Sequence, residues 1–182
     1  MKFTVKHLKE VKSTNALAKE MASKGHPEGL VLVADHQTDG YGKLGRKWIS
    51  PAGKNLLFSI LLRPDSSAHR IPLITQVICR SIASVLKNKY QITSSFKRPN
   101  DVMVNGKKIC GVLVEASSQG NGKVDHAVIG IGLNVNSLTS ELIPEATSIR
   151  EIKGRSYKMD TALKSFLKQI DQDIKKFYAY TS

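Results

Sequence analysis

The sequence predicts an α+β domain with a mixed, largely antiparallel sheet flanked by helices. Two long stretches, one mid-chain and one near the end, carry apolar residues at helical spacing. Between and before them lie short apolar runs separated by turn residues, among them Asn105-Gly106. Consecutive hairpins enclosed by helices are the pattern of helices packed on a sheet.

Each element has its own justification. Ser13-Thr14-Asn15 precedes Ala16 to Lys24, which stops at Gly25, so a capped helix begins at Ser13 or Thr14. Leu30 to Ala34 and Asn55 to Leu62 are nearly continuous apolar runs, hence buried strands. Between them, Gln37 to Lys47 mixes Gly40, Gly42 and Gly45 with polar and basic residues and predicts a mobile loop. Ile71, Ile74, Val77, Ile78, Ile82, Val85 and Leu86 trace the apolar stripe of a long helix. Val102 to Val104 and Ile109 to Glu115 flank Asn105-Gly106, a pair suited to the positive φ angles of a type I′ hairpin turn. Gly120-Asn121-Gly122 predicts a second turn, leading into the strand Ala127 to Val135. Leu163, Phe166, Leu167, Ile170, Ile174 and Phe177 form the stripe of a closing helix. No repeat or linker divides the 182 residues, so a single domain over 1–182 is expected.

Composition narrows the function. Hydrophobic residues make up 41% and charged residues 24%, as in soluble globular domains. No run is apolar for long enough to span a bilayer, and the charged N-terminus MKFTVKHLKE lacks a signal-peptide core, so no membrane role and a cytoplasmic location are expected. Cys79 and Cys110 form no CxxC pair and read as buried thiols in a reducing compartment; no metal site is expected. The five scattered histidines suggest neither a triad nor an HExxH site. A net charge of +13 attracts nucleic acid, nucleotides or an acidic protein without choosing among them.

Three segments carry chemistry. In Gln37 to Trp48, three glycines let backbone amides approach an anion, and Lys43, Arg46 and Lys47 add positive charge. The spacings of a P-loop and of a dinucleotide fingerprint are absent. Trp48, the only tryptophan, either stacks on a base or anchors the loop in the core. In Lys97-Arg98-Pro99-Asn100-Asp101, proline stops the strand and leaves Lys97 at its end, where it can neutralise a carboxylate or acyl phosphate. An ordinary turn is the competing reading. In Gly130-Ile131-Gly132-Leu133-Asn134-Val135-Asn136, glycines inside an apolar strand mark a close approach by a ligand or a neighbouring helix, and Asn134 needs a polar partner. Gly111 raises the same question on an adjacent strand.

Taken in order, these segments closely resemble the catalytic domain of biotin–protein ligases. The matching residues run from about 8 to about 150. They include Ser13-Thr14-Asn15, Gln37, Gly40 to Trp48, Ser50 to Leu56, Lys97 to Asp101, Gly106 to Glu115 and Gly130 to Asn136. The resemblance implies a fold related to the catalytic core of class II aminoacyl-tRNA synthetases. It implies that ATP and biotin, with Mg²⁺, give biotinyl-5′-AMP, and that biotin then passes to a lysine of a biotin carboxyl carrier domain of a carboxylase. It assigns Lys97 to the biotin carboxyl group, with Lys43 and Arg46 completing the catalytic set. Ser13, Thr14, Asn15 and Gln37 are implied to bind the ureido head. Gly111, Gly130 and Gly132 make room for the ring and its chain. Tyr41, Gly42 and Lys43 fold over biotin and the adenylate, Trp48 stacks on adenine, and Asn134 bonds nearby.

Departures shape further expectations. Relatives usually carry arginines where this chain has Tyr41 and Lys43, so looser retention of the adenylate is expected. Arg98 replaces the usual tryptophan. An N-terminal helix-turn-helix domain and a C-terminal β-barrel are expected to be absent, and with them a DNA repressor role; a homodimer is compatible with the family. The rival readings are a lipoate or octanoate ligase or transferase of the related fold, a degenerate biotin binder, and a basic nucleic-acid-binding module.

Overall fold

The computed structural model describes residues 2–64, 70–118 and 123–181, with side chains through residue 179. The expected turn at Gly120-Asn121-Gly122 lies outside the described residues. In chain order the elements are β1 (Thr4–Val11), α1 (Thr14–Ser23), β2 (Leu30–Gln37), β3 (Leu56–Leu62) and α2 (Ile71–Tyr90). There follow β4 (Ser95–Lys97), β5 (Asp101–Val104), β6 (Lys107–Ser118), β7 (Val124–Leu133), α3 (Ile149–Lys153) and α4 (Met159–Thr181).

The strands form one mixed sheet in the order β1-β2-β3-β7-β6-β5-β4. Only β1 and β2 run parallel; the other neighbours are antiparallel. The Asn105-Gly106 turn joins β5 to β6 with φ of 49° and 76°, the left-handed pair that an Asn-Gly dipeptide tolerates. Ser13 caps α1 from an extended backbone, its hydroxyl accepting the Ala16 amide at 3.4 Å. Gly25, at φ 82°, follows the helix end.

Strand alternation divides the sheet into two unlike faces. One carries Phe58, Ile60, Val102, Val112, Ile129 and Ile131, all buried against α2 and α4 in the main core. The opposite face carries Leu32, Leu61 and Val128 under α1, with Ala18 and Ala22 of that helix completing a smaller cluster. Farther along this second face the row becomes Ser59, Gly130, Gly132, Gly111 and Asp101, residues that are small or polar. Cross-strand pairing sets Gly132 opposite Gly111, and Gly130 beside Ser59. A shallow trough therefore runs across β7 and β6, bounded by α1.

Candidate functional site

That trough is the floor of a cavity of about 540 Å³. Ser13, Thr14 and Asn15 enter it from the start of α1, Gln37 from the end of β2, and Lys97 to Asp101 from the β4–β5 turn. The segment from Gly40 to Trp48 covers it.

This covering segment is a small closed hairpin: Tyr41 bridges Lys47, Gly42 N–H donates to Arg46 O at 2.7 Å, and Trp48 N–H to Gly40 O at 2.9 Å. Leu44 and Gly45 turn its tip at φ of 60° and 71°. Lys43, Arg46 and Lys47 are exposed at the cavity mouth, where they present positive charge to any anion inside. On the far side Asn55, 3% exposed, anchors the return by donating to Ser50 Oγ and accepting the Val135 amide.

Trp48 lies flat on the glycine floor. A Cβ added at Gly132 would come within 2.5 Å of its Cζ2, and one at Gly111 within 3.0 Å of its Cζ3. A Cβ at Gly130 would come within 2.8 Å of Asn15 Cγ. The sequence pointed to close approaches at these glycines; Trp48 and Asn15 fill the space that was expected to receive the ligand. The indole packs on the sheet, as the anchoring reading of Trp48 expects, and it also lines the cavity.

The polar groups of the floor are connected. Gln37 Oε1 accepts from Thr14 N–H at 2.7 Å and from Thr14 Oγ1 at 2.9 Å. Ser59 Oγ, fully buried, lies 2.8 Å from Thr14 Oγ1 and 2.6 Å from Asn15 Oδ1. Asn15 Nδ2 donates to Glu115 Oε2 at 2.8 Å, and Tyr41 OH donates to the same oxygen at 2.9 Å. Asn134, 2% exposed, donates through Nδ2 to Thr147 O at 3.0 Å, the partner its burial demanded. Its Oδ1 and the Nε1 of Trp48 are buried beside the cavity without a partner among the described residues. Leaving such atoms unsatisfied costs about 1–3 kcal/mol each, and a ligand with a donor and an acceptor in the right places recovers it.

Besides Lys43 and Lys47 at the mouth, two lysines reach the cavity from different depths. Lys97 ends β4 opposite Asp101, as the proline predicts, and its side chain is exposed. Lys108 is half-buried, pairs with Asp101 Oδ1 at 2.7 Å, and holds Nζ 5.2 Å from the centre of the Trp48 ring. The sequence reading gave Lys108 no role. The reason is a bulge: Met103 pairs with Lys108 while Val102 pairs with Cys110, so Ile109 is an extra residue in β6. In an unbroken strand, positions 108 and 111 would face opposite ways; here the Lys108 chain lies 3.1 Å from a Cβ built at Gly111. Ser59 was missed too, although a hydroxyl inside the apolar run Leu56 to Leu62 poses the same question as Asn134.

No thiol competes for a chemical role. Both cysteines are buried; desolvation pushes Cys79 up to about 12 and Cys110 well above its ordinary value, so both stay protonated near neutral pH. Among the described residues no group of three or more His, Cys, Asp or Glu side chains gathers to hold a metal ion.

With this geometry in place, the likeness to known proteins is specific. A sequence model of the Biotin/lipoate A/B protein ligase family matches residues 8–134, which hold every element of the cavity floor and its cover. The chain belongs to this family. Among curated members of the biotin/lipoate A/B protein ligase family, it is 35% identical over 156 residues to the bifunctional ligase/repressor BirA of Bacillus spizizenii, covering 84% of this chain and 47% of that protein. It is 32% identical over 145 residues to the biotin–[acetyl-CoA-carboxylase] ligase of Mycobacterium tuberculosis, covering 77% and 52%. The chain thus spans about half the length of these relatives. The crystal structure of the Aquifex aeolicus biotin protein ligase in complex with biotin and ATP superposes with a TM-score of 0.82 at 36% identity, covering 97% of this chain and 72% of that one. The Leishmania major enzyme in complex with biotinyl-5-AMP gives 0.69 at 27% identity, covering 98% and 79%.

Proposed function

We propose that this chain is a biotin–protein ligase acting in the cytoplasm: it forms biotinyl-5′-AMP from biotin and ATP, then transfers biotin to a lysine of a carboxylase's carrier domain. One observation carries the reading. A glycine-floored cavity holds an indole, a lysine and two unpartnered polar atoms beneath a basic loop, in a fold superposing over 97% of the chain on a ligase that binds biotin and ATP.

In the first step a carboxylate oxygen of biotin attacks the α-phosphorus of ATP, and the bond to pyrophosphate breaks. In the second a neutral lysine amine attacks the acyl carbon, the bond to AMP breaks, and the nitrogen sheds its proton. Neither step needs a protein nucleophile, so this chain's residues contribute position and charge. Thr14, Asn15 and Gln37, cross-linked to Ser59, line the end of the cavity assigned to the ureido head. Lys43 and Arg46 stand at the mouth over the phosphates. Trp48 and Asn134 offer a flat face, a donor and an acceptor, which suits adenine. For the biotin carboxyl group, Lys108 is better placed than Lys97: it is half-buried, aimed by Asp101 and seated beside the indole. Mg²⁺ supplies charge neutralisation when bound. With no protein cage among the described residues, it would be held chiefly by the nucleotide phosphates, with Asp101 or Glu145 of the lining as its nearest carboxylates.

The test is pyrophosphate–ATP exchange with biotin against lipoate as the acid. Exchange with biotin alone is expected. Exchange with lipoate alone would move the chain to the other branch of its family, and none with either acid would leave a binder without turnover.

A further inference from the structure

We propose that Glu115 is a positioning residue that fastens the covering loop to the cavity floor through Tyr41 and Asn15, and that Lys19 supplies the cation this fastening needs. The proposal rests on the ligase reading for its catalytic consequence but not for its geometry.

Glu115 lies on β6 on the same face as Gly111, four residues along, so its carboxylate stands at one end of the trough. Three side chains from two elements converge on it. Tyr41 OH from the loop and Asn15 Nδ2 from α1 both donate to Oε2, at 2.9 and 2.8 Å. Lys19 Nζ, one turn farther along α1, donates to Oε1 at 2.6 Å and sits 5.8 Å from the Tyr41 ring centre. With Asn15 Oδ1 committed to Ser59, the bond to Glu115 fixes which way that amide faces over Gly130. Burial acts to raise the carboxyl pKa of Glu115, and the bonds from Lys19, Asn15 and Tyr41 outweigh it and hold the group below its ordinary range. Tyr41 brings a hydroxyl but no charge, so the balancing charge comes from Lys19.

A merely structural ion pair predicts something different. Lys19 is 40% exposed, and such pairs contribute little to global stability. The fastening therefore has to be read at the loop. Trypsin cleaving the ligand-free protein at Lys43, Arg46 and Lys47 reports how often the loop opens. Tyr41→Phe, Lys19→Met and Glu115→Gln should each speed loop cleavage roughly fivefold to tenfold. Cleavage at Lys87 and Lys89 in α2 should stay at the wild-type rate, and the thermal midpoint should move by no more than about 2 °C. Adding Tyr41→Arg to Lys19→Met returns a cation to Glu115 from the loop side and should restore slow cleavage at Lys43, Arg46 and Lys47, with the bond after position 41, newly open to trypsin, scored apart. In the adenylate-loaded enzyme, the same single variants should release biotinyl-AMP faster in the same order. Loop cleavage at the wild-type rate in all three variants would overturn the proposal, as would equal acceleration at the α2 sites. A wild-type protein that makes no biotinyl-AMP defeats the ligase reading instead and leaves the protease rates to decide the fastening.

Discussion

Lys108 and Glu115 are the two residues on which the account turns. Lys108 owes its placement to a one-residue bulge, and Asp101 aims it across the sheet. Replacing it with alanine should lower biotin-dependent pyrophosphate exchange on the order of 10²–10³-fold, the effect of removing one preorganised charge from a reacting group. Lys97→Ala should cost far less, because that side chain is exposed; steady-state exchange rates for the two variants check this ordering. Glu115 makes the loop sensitive to acid. Its carboxyl titrates below its ordinary value near 4.5, so the bonds it accepts are complete above that value and are lost as the pH falls through the lowered one. The emission of Trp48, the only tryptophan and the residue that closes this loop, should show an acid step in the wild type that disappears in Glu115→Gln. A single residue type at a single position carried little of this in the sequence. Lys97 was visible because a proline follows it, whereas the role of Lys108 depends on a bulge that alternation cannot reveal.

The elements show why some were legible and others not. α1 announced itself by a serine cap and a terminal glycine, and the β5–β6 hairpin by Asn105-Gly106, since each needs a particular residue for a backbone reason. α2 and α4 follow the apolar stripes and run about a turn beyond them, α2 to Tyr90 and α4 from Met159 to Thr181. β1 gave no signal. Its residues are exposed on both faces at the sheet edge, so Thr4–Val11 shows no apolar alternation. The covering segment, expected as a loop without regular structure, is a hairpin closed by its own backbone bonds and tied to Glu115 through Tyr41. Its seat can be tested at the floor. Gly132→Ala places a methyl group within the Trp48 indole, so the ring must move at a cost of about 1–3 kcal/mol. The expected result is a shifted tryptophan emission together with a raised KM for ATP and little change in biotin affinity.

At the scale of the whole molecule, the sheet separates two tasks. One face, under α2 and α4, holds the main core. The other gives up side-chain volume along Gly130, Gly132 and Gly111 to make the cavity, which is why three glycines in two apolar strands marked a close approach in the sequence. The +13 charge surrounds this arrangement without defining it. It should instead tune encounter with an acidic acceptor: the second-order rate of biotin transfer is expected to fall as ionic strength rises from about 0.01 to 0.15 M, over which the screening length shrinks from roughly 30 to 8 Å. No helix among the described residues is long and apolar enough to cross a membrane. The claim beneath all of this is that the cavity activates biotin and delivers it to a lysine. Intact-mass spectrometry of a carboxylase carrier domain, incubated with this protein, ATP, Mg²⁺ and biotin, tests it most directly. The account predicts a gain of one biotinyl group, lost when Lys108 is alanine; an acceptor of unchanged mass, or one modified equally well by the Lys108→Ala protein, would contradict it.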